Sequence, residues 1–184
     1  YTDDIILPNM TYAQFVRSPY AHAKILSVDT AAAKASPGVV AIYTGADIAE
    51  LNGVPCGWQV NFKNGDTMKE PKHPMLVADK ARHTGDAVAV VIAESRETAK
   101  DAADLVVVEY EELDAVVNPK AAAENGAPLV HEDAPNNICF DWALGNPKEE
   151  VDAAMAAATH VTTLEFTNQR LAPNAIEPRS YIGD

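Results

Sequence analysis

The sequence predicts an α+β or α/β fold built from β-α-β units on a mixed sheet, and three stretches carry that prediction. Residues 87–93 read Ala-Val-Ala-Val-Val-Ile-Ala, a continuous apolar run with the length and β-branching of a strand buried on both faces. The Ala23–Val28 stretch is followed by a short Ala-rich run, a break at Pro37-Gly38 and a second apolar run, Val39–Tyr43. Arg96–Asp104 sets Ala99, Ala102 and Ala103 at helical spacing ahead of a further strand, Leu105–Tyr110.

Taken in order, Met10–Arg17 reads as a first strand through Tyr12, Phe15 and Val16, and Ser18-Pro19 as a rigid turn. After the strand at 23–28, Asp29 or Thr30 caps a short helix. Thr44 can accept from a free helix amide with Asp47 three residues on, so a helix to about Leu51 is expected after the strand at 39–43. Asn52–Pro74 is a long loop rich in glycine, proline and polar residues, the kind that is functional or mobile. Gly85-Asp86 is a strand-entry turn. The crossovers on either side of it join parallel strands wherever both strands share a sheet.

Asn118–Glu132 is a turn-rich connector with a helical turn near Lys120–Glu124, and Ile138–Leu144 reads as a strand. Asn146-Pro147 is a helix start, because Asn caps and Pro fits the first helical position. Val151, Ala154, Met155 and Ala158 then follow the spacing of an amphipathic helix. His160–Leu171 is a long strand candidate, and the tail bends at Pro173 and Pro178. The division of the chain falls near Asn137–Pro147, giving residues 1–140 and 141–184.

Composition narrows the function classes. The 184 residues carry a formal charge of −13, and Asp101–Glu150 holds twelve acids against only Lys120 and Lys148. Nucleic-acid binding depends on Lys and Arg neutralising phosphates, so that balance argues against it. The plain reading of the acidic run is a solvated surface, and the sharper one is a docking face for a basic partner. No apolar run reaches the ~20 residues of a membrane span. Cys56 and Cys139 stand far apart with no CxxC pair, which fits a reducing, cytoplasmic compartment.

Candidate chemistry is sparse. The chain has no GxGxxG, GxxxxGK[ST], HExxH or GxSxG, so nucleotide binding, zinc proteolysis and the α/β-hydrolase mechanism lose support. A thiol hydrolase would need Cys56 beside His73, whereas the plain reading makes Cys56 a small packing residue next to Trp58. His22, His73, His83, His131 and His160 show no ligand spacing, and their plain reading is surface or hydrogen-bonded histidines. His22 alternates with two alanines and so could face a partner surface. Near the end, Gln169, Arg170, Glu177 and Arg179 could form a charged network around two proline turns, with bidentate Arg–carboxylate pairing.

Three strings resemble one family. Arg17-Ser18-Pro19-Tyr20-Ala21-His22-Ala23-Lys24-Ile25, running on to Pro37-Gly38-Val39, matches "R-S-P-x-A-H-A-x-I … P-G-V". Gly85–Val91 is similar to "G-E-x-V-A-x-V", with Asp86 in place of Glu. Asn168–Arg179 resembles "N-Q-R … P-x-x-M-E-P-R", with Ile176 in place of Met. These strings occur, in this order, in the large subunits of molybdenum hydroxylases: the carbon monoxide, aldehyde and xanthine dehydrogenases.

The resemblance implies an α/β-hammerhead domain over 1–140 and the start of a molybdopterin-binding domain over 141–184. It implies an oxidoreductase whose molybdenum–molybdopterin cofactor sits in the full-length subunit. Iron–sulfur clusters and FAD would lie on a small and a medium partner subunit. Carbon monoxide dehydrogenase-like and aldehyde-oxidising members are nearest, given Asn-Gln-Arg-Leu-x-Pro-Asn. The family's cofactor loops and catalytic glutamate have no match here, so a fragment without its own catalytic residue, metal ligand or cofactor is expected. Gln169, Arg170, Glu177 and Arg179 would anchor one domain on the next or stand behind the cofactor. The competing class is a non-enzymatic binding or scaffold module of the same fold.

Overall fold

In the computed structural model, which describes residues 1–51, 53–168 and 171–183, the chain divides into two compact units. Asn9–Trp142 forms one, and Tyr1–Pro8 with Ala143–Asp184 forms the other.

The first unit holds β1 (Tyr12–Arg17), β2 (Ala23–Asp29), α1 (Ala31–Lys34), β3 (Val39–Thr44), β4 (Lys80–Ala81), β5 (Ala87–Ala93), α2 (Arg96–Ala103), β6 (Val107–Glu112) and α3 (Pro119–Ala122). The strands make two three-stranded sheets, ordered β1-β5-β3 and β4-β2-β6. The β-α-β order of the sequence is present, and the α+β class holds. A mixed sheet was expected, but every ladder among the described residues is antiparallel. The reason is topological. Each crossover, β2-α1-β3 and β5-α2-β6, starts in one sheet and ends in the other, so the parallel-pairing rule has no shared sheet to act on.

Side chains alternate across a strand, and this alternation builds the core. Ile42 and Val91 point to one face of the β1-β5-β3 sheet, where they meet Ala33 of α1, Ala102 and Ala103 of α2, and Val106. Val16, Val28, Val39 and Val108 pack around that cluster. The small alanines of both helices let them lie close on the sheet. Helix α2 begins at Ser95, whose hydroxyl accepts from the Thr98 amide at 3.1 Å, satisfying one of the free donors of the first turn.

Four local expectations are corrected. No helix follows Thr44: its amide and hydroxyl both donate to Asp47 Oδ2, each at 2.7 Å, and residues 45–51 form successive turns. The Asp47 amide closes back on the Thr44 carbonyl at 3.1 Å, so the pair serves a turn. The long loop is tied down by bridges Val54↔His73 and Asn61↔Thr67. Residues 138–144 are not a strand. Their backbone meets that loop where the Lys63 and Lys69 amides donate to the carbonyls of Asp141 and Cys139, and the Lys63 ammonium pairs with the Asp141 carboxylate at 2.8 Å, too few backbone bonds for a ladder.

In the second unit, α4 (Lys148–Ala157) forms, but Asn146 does not cap it, because Pro147 occupies the N-cap position. The Asn146 side-chain amide donates instead to Glu150 at 3.4 Å. The strand expected at 160–171 is absent over the described residues 160–168 and 171, and none of these pairs with a neighbouring strand.

Candidate functional site

The first recognisable string, residues 17–25, folds as a corner that clamps the second. Ser18, 2% exposed, donates its amide to the Asp86 carbonyl and accepts the Gly85 amide, both at 2.8 Å. Arg17 adds a bond to the Gly85 carbonyl at 2.8 Å. Gly85 sits at φ +94°, a left-handed conformation that glycine adopts without steric cost. The Asp86 carboxylate is buried and accepts from the Arg82 amide at 2.8 Å. It also lies 3.4 Å from His83 Nδ1. A glutamate at 86, one methylene longer, would have to place its carboxylate differently.

His22 is buried and does not face outward. Its Nδ1 lies 2.8 Å from the Asp114 carbonyl, which can only accept, so Nδ1 carries the proton. Its Nε2 is buried without a partner among the described residues. The Tyr20 and Tyr110 rings meet beside this corner in a tilted pair, centroids 5.1 Å apart and planes at 50°. Burial raises the Tyr110 hydroxyl above its usual range, with the Ser18 hydrogen bond opposing that rise.

Along the β4 edge, the Lys80 ammonium bonds Glu132 and holds its carboxyl down to about 2. Burial, reinforced by the Arg82 charge, lowers His131 below the usual imidazole range. The turn after β3 behaves similarly, since the Thr44 amide and hydroxyl lower the Asp47 carboxyl.

Cys56 and His73 do not form a nucleophile–base pair. The Cys56 thiol donates to the Trp58 carbonyl at 3.0 Å, and the His73 ring faces His83 at 6.3 Å. Burial raises the Cys139 thiol above its ordinary value, with the Asp133 charge adding to the rise.

Of the four C-terminal candidates, Gln169 and Arg170 lie outside the described residues. Glu177 lines a groove of about 210 Å³ with Tyr1, Asp4, Ile176, Pro178 and Ser180. Arg179 is exposed and makes no ion pair with Glu177 among the described residues.

Residues 1–114 match the family described as aldehyde oxidase and xanthine dehydrogenase, a/b hammerhead domain. The chain belongs to that family. The carbon monoxide dehydrogenase large chain of Afipia carboxidovorans is 38% identical over 96% of this chain and 22% of its own length. The xanthine dehydrogenase molybdenum-binding subunit of Escherichia coli is 38% identical over 84% of this chain and 20% of its own. Among solved structures, the reconstituted CO dehydrogenase of Oligotropha carboxidovorans superposes with a TM-score of 0.69 at 37% identity. That match covers 86% of this chain and 20% of the other. The hammerhead chain thus spans about a fifth of the length of the relatives it matches.

No set of three or more His, Cys, Asp or Glu among the described residues could hold a metal ion. The groove at Glu177 holds a second carboxylate, Asp4, which pairs with the Tyr1 ammonium at 3.1 Å. No chemical step through a molybdenum–pterin group is assigned to these residues. Among the described residues, no helix is long and apolar enough to cross a membrane.

Proposed function

We propose that this chain is the hammerhead part, residues 1–140, and the opening of the molybdopterin-binding domain, residues 141–184, of a large subunit in a cytoplasmic molybdenum-dependent oxidoreductase. The carrying observation is the hammerhead match over residues 1–114, supported by 38% identity along 96% of the chain to a carbon monoxide dehydrogenase large chain. In this reading the chain is a scaffold. The Ser18–Asp86 clamp fixes the corner of the hammerhead, and Gln169, Arg170, Glu177 and Arg179 anchor the next domain. The molybdenum cofactor, where bound, supplies the redox chemistry from residues outside this chain. Companion subunits carrying iron–sulfur clusters and FAD take the electrons.

Sequencing the locus tests the reading directly. It expects an open frame running several hundred residues past Asp184, and a stop codon there overturns it. Metal analysis is the second test: stoichiometric molybdenum in the purified 184-residue chain would overturn the scaffold role.

A further inference from the structure

Strand β5 is apolar at every position, the pattern of a strand covered on both faces. One face is covered by α1, α2 and their valine neighbours. Alternation turns Phe15 and Arg17 of β1, Tyr43 of β3 and Val90 of β5 to the opposite face, where they line an open groove of about 540 Å³. Val54 of the long loop and Met75, just past its end, also line it. Phe15, Tyr43, Val54 and Met75 are all exposed there. Apolar patches of this kind on soluble chains mark interaction sites.

The rim has a charge opposite to that of the molecule. In a chain of net charge −13, the one fixed cation lining the groove is Arg17. Its one carboxylate, Asp86, is buried and already engaged by the Arg82 amide and by His83. Arg17 spends its hydrogen bond on the Gly85 carbonyl and stacks over the Phe15 ring at 5.4 Å. Among the described residues no carboxylate pairs with it. The groove is therefore apolar along its floor and cationic at the Arg17 end.

We infer that this groove is the docking site of an apolar polypeptide segment that ends in acidic residues, the apolar part covering Val90 and Tyr43 and a carboxylate meeting Arg17. A polypeptide is favoured over a small molecule because exposed apolar side chains run the length of an open groove, from Phe15 and Tyr43 to Val54 and Met75. This inference does not depend on the molybdenum reading. A stop codon after Asp184 would defeat that reading and leave the binding result untouched.

The test uses the 184-residue chain and two fluorescein-labelled peptides, Gly-Leu-Val-Phe-Leu-Asp-Glu and the same peptide ending Lys-Lys, followed by fluorescence anisotropy. Net charge alone would make this acidic protein prefer the Lys-Lys peptide, so the opposite preference is diagnostic. The acidic peptide is expected to bind about ten-fold tighter than the basic one, and to weaken as salt is raised. Arg17→Gln should remove that preference. Tyr43→Ser, on the exposed side of an edge strand, should weaken both peptides alike, with circular dichroism confirming that each variant is folded. Absent saturable binding, equal affinities or tighter binding of the Lys-Lys peptide would overturn the proposal. So would 1-naphthoate binding as tightly as the acidic peptide, which makes the groove a small-molecule pocket. Self-association that Tyr43→Ser abolishes would also overturn it by giving the groove to a second copy of the chain.

Discussion

The two units of this chain use similar apolar residues to opposite effect. In Asn9–Trp142, residues such as Val88, Ala89 and Val91 have no solvent exposure at all. In the second unit, α4 buries nothing, and Leu164 and Phe166 stay more than three-quarters exposed. A helix closes its hydrogen bonds within its own segment, so Ala-rich α4 forms without a covering layer. A strand needs a neighbour for every second amide, so residues 160–168 remain unpaired despite Val161, Leu164 and Phe166. Local propensity is enough for one element and not for the other.

That contrast can be pressed experimentally, beginning inside the first unit. A Cβ at Gly45 would stand 2.6 Å from the backbone of Val77 and Ala78. Gly45→Ala should therefore cost about 3 kcal/mol in a urea melt, since backbone has to move. Val91→Ala removes two methyl carbons from the centre of the core and should cost about 2–3 kcal/mol by the same measurement.

The titrating groups give smaller effects with defined signs. His131 is lowered in the folded chain, so the unfolded chain takes up its proton first. Its contribution to stability is full above the unfolded value of 6.5 and falls as the pH drops below it. Thermal melts across that range should show the decline, and His131→Gln should flatten it. Asp47 is also lowered, so its contribution is complete above 3.8 and disappears only as the pH falls through its lower folded value. Asp47→Asn should blunt acid unfolding at that end of the scale.

The smallest effect belongs to the second unit. Met155→Ala on exposed α4 should change stability by less than about 0.5 kcal/mol. A loss near that of Val91→Ala would mean α4 is buried in solution and would erase the contrast.

What the sequence disclosed follows the same division between local and distant. The β5 run, the Pro37-Gly38 break and the alanine face of α2 are local signals, and each appears where it was read. Which strand lies beside β5 was hidden, because β1 and β3 reach it across long loops and no residue of β5 encodes the pairing. The helix after Thr44 was misread because Asp47 can serve a capping box or a turn, and the two look alike in sequence. The strand at 160–171 was misread because alternation marks a strand without saying whether a partner exists. The family was legible in three strings that the fold partly brings together, Arg17-Ser18 against Gly85-Asp86. The role of His22 was not, since its burial depends on Asp114, ninety-two residues away.

The crossing of both β-α-β segments between the two sheets sets a timetable for synthesis. Tyr12 pairs with Ala93, eighty-one residues later, and Ala23 pairs with Glu112. At about 5–20 residues per second, β1 leaves the ribosome roughly 4–16 s before its neighbour exists. Through that interval β1, β2 and β3 are nascent strands with open edges, free to pair with one another or with a neighbouring chain. A ribosome-associated holdase should raise the soluble yield of this domain more than it would for a helical chain of equal length, whose contacts close as they emerge.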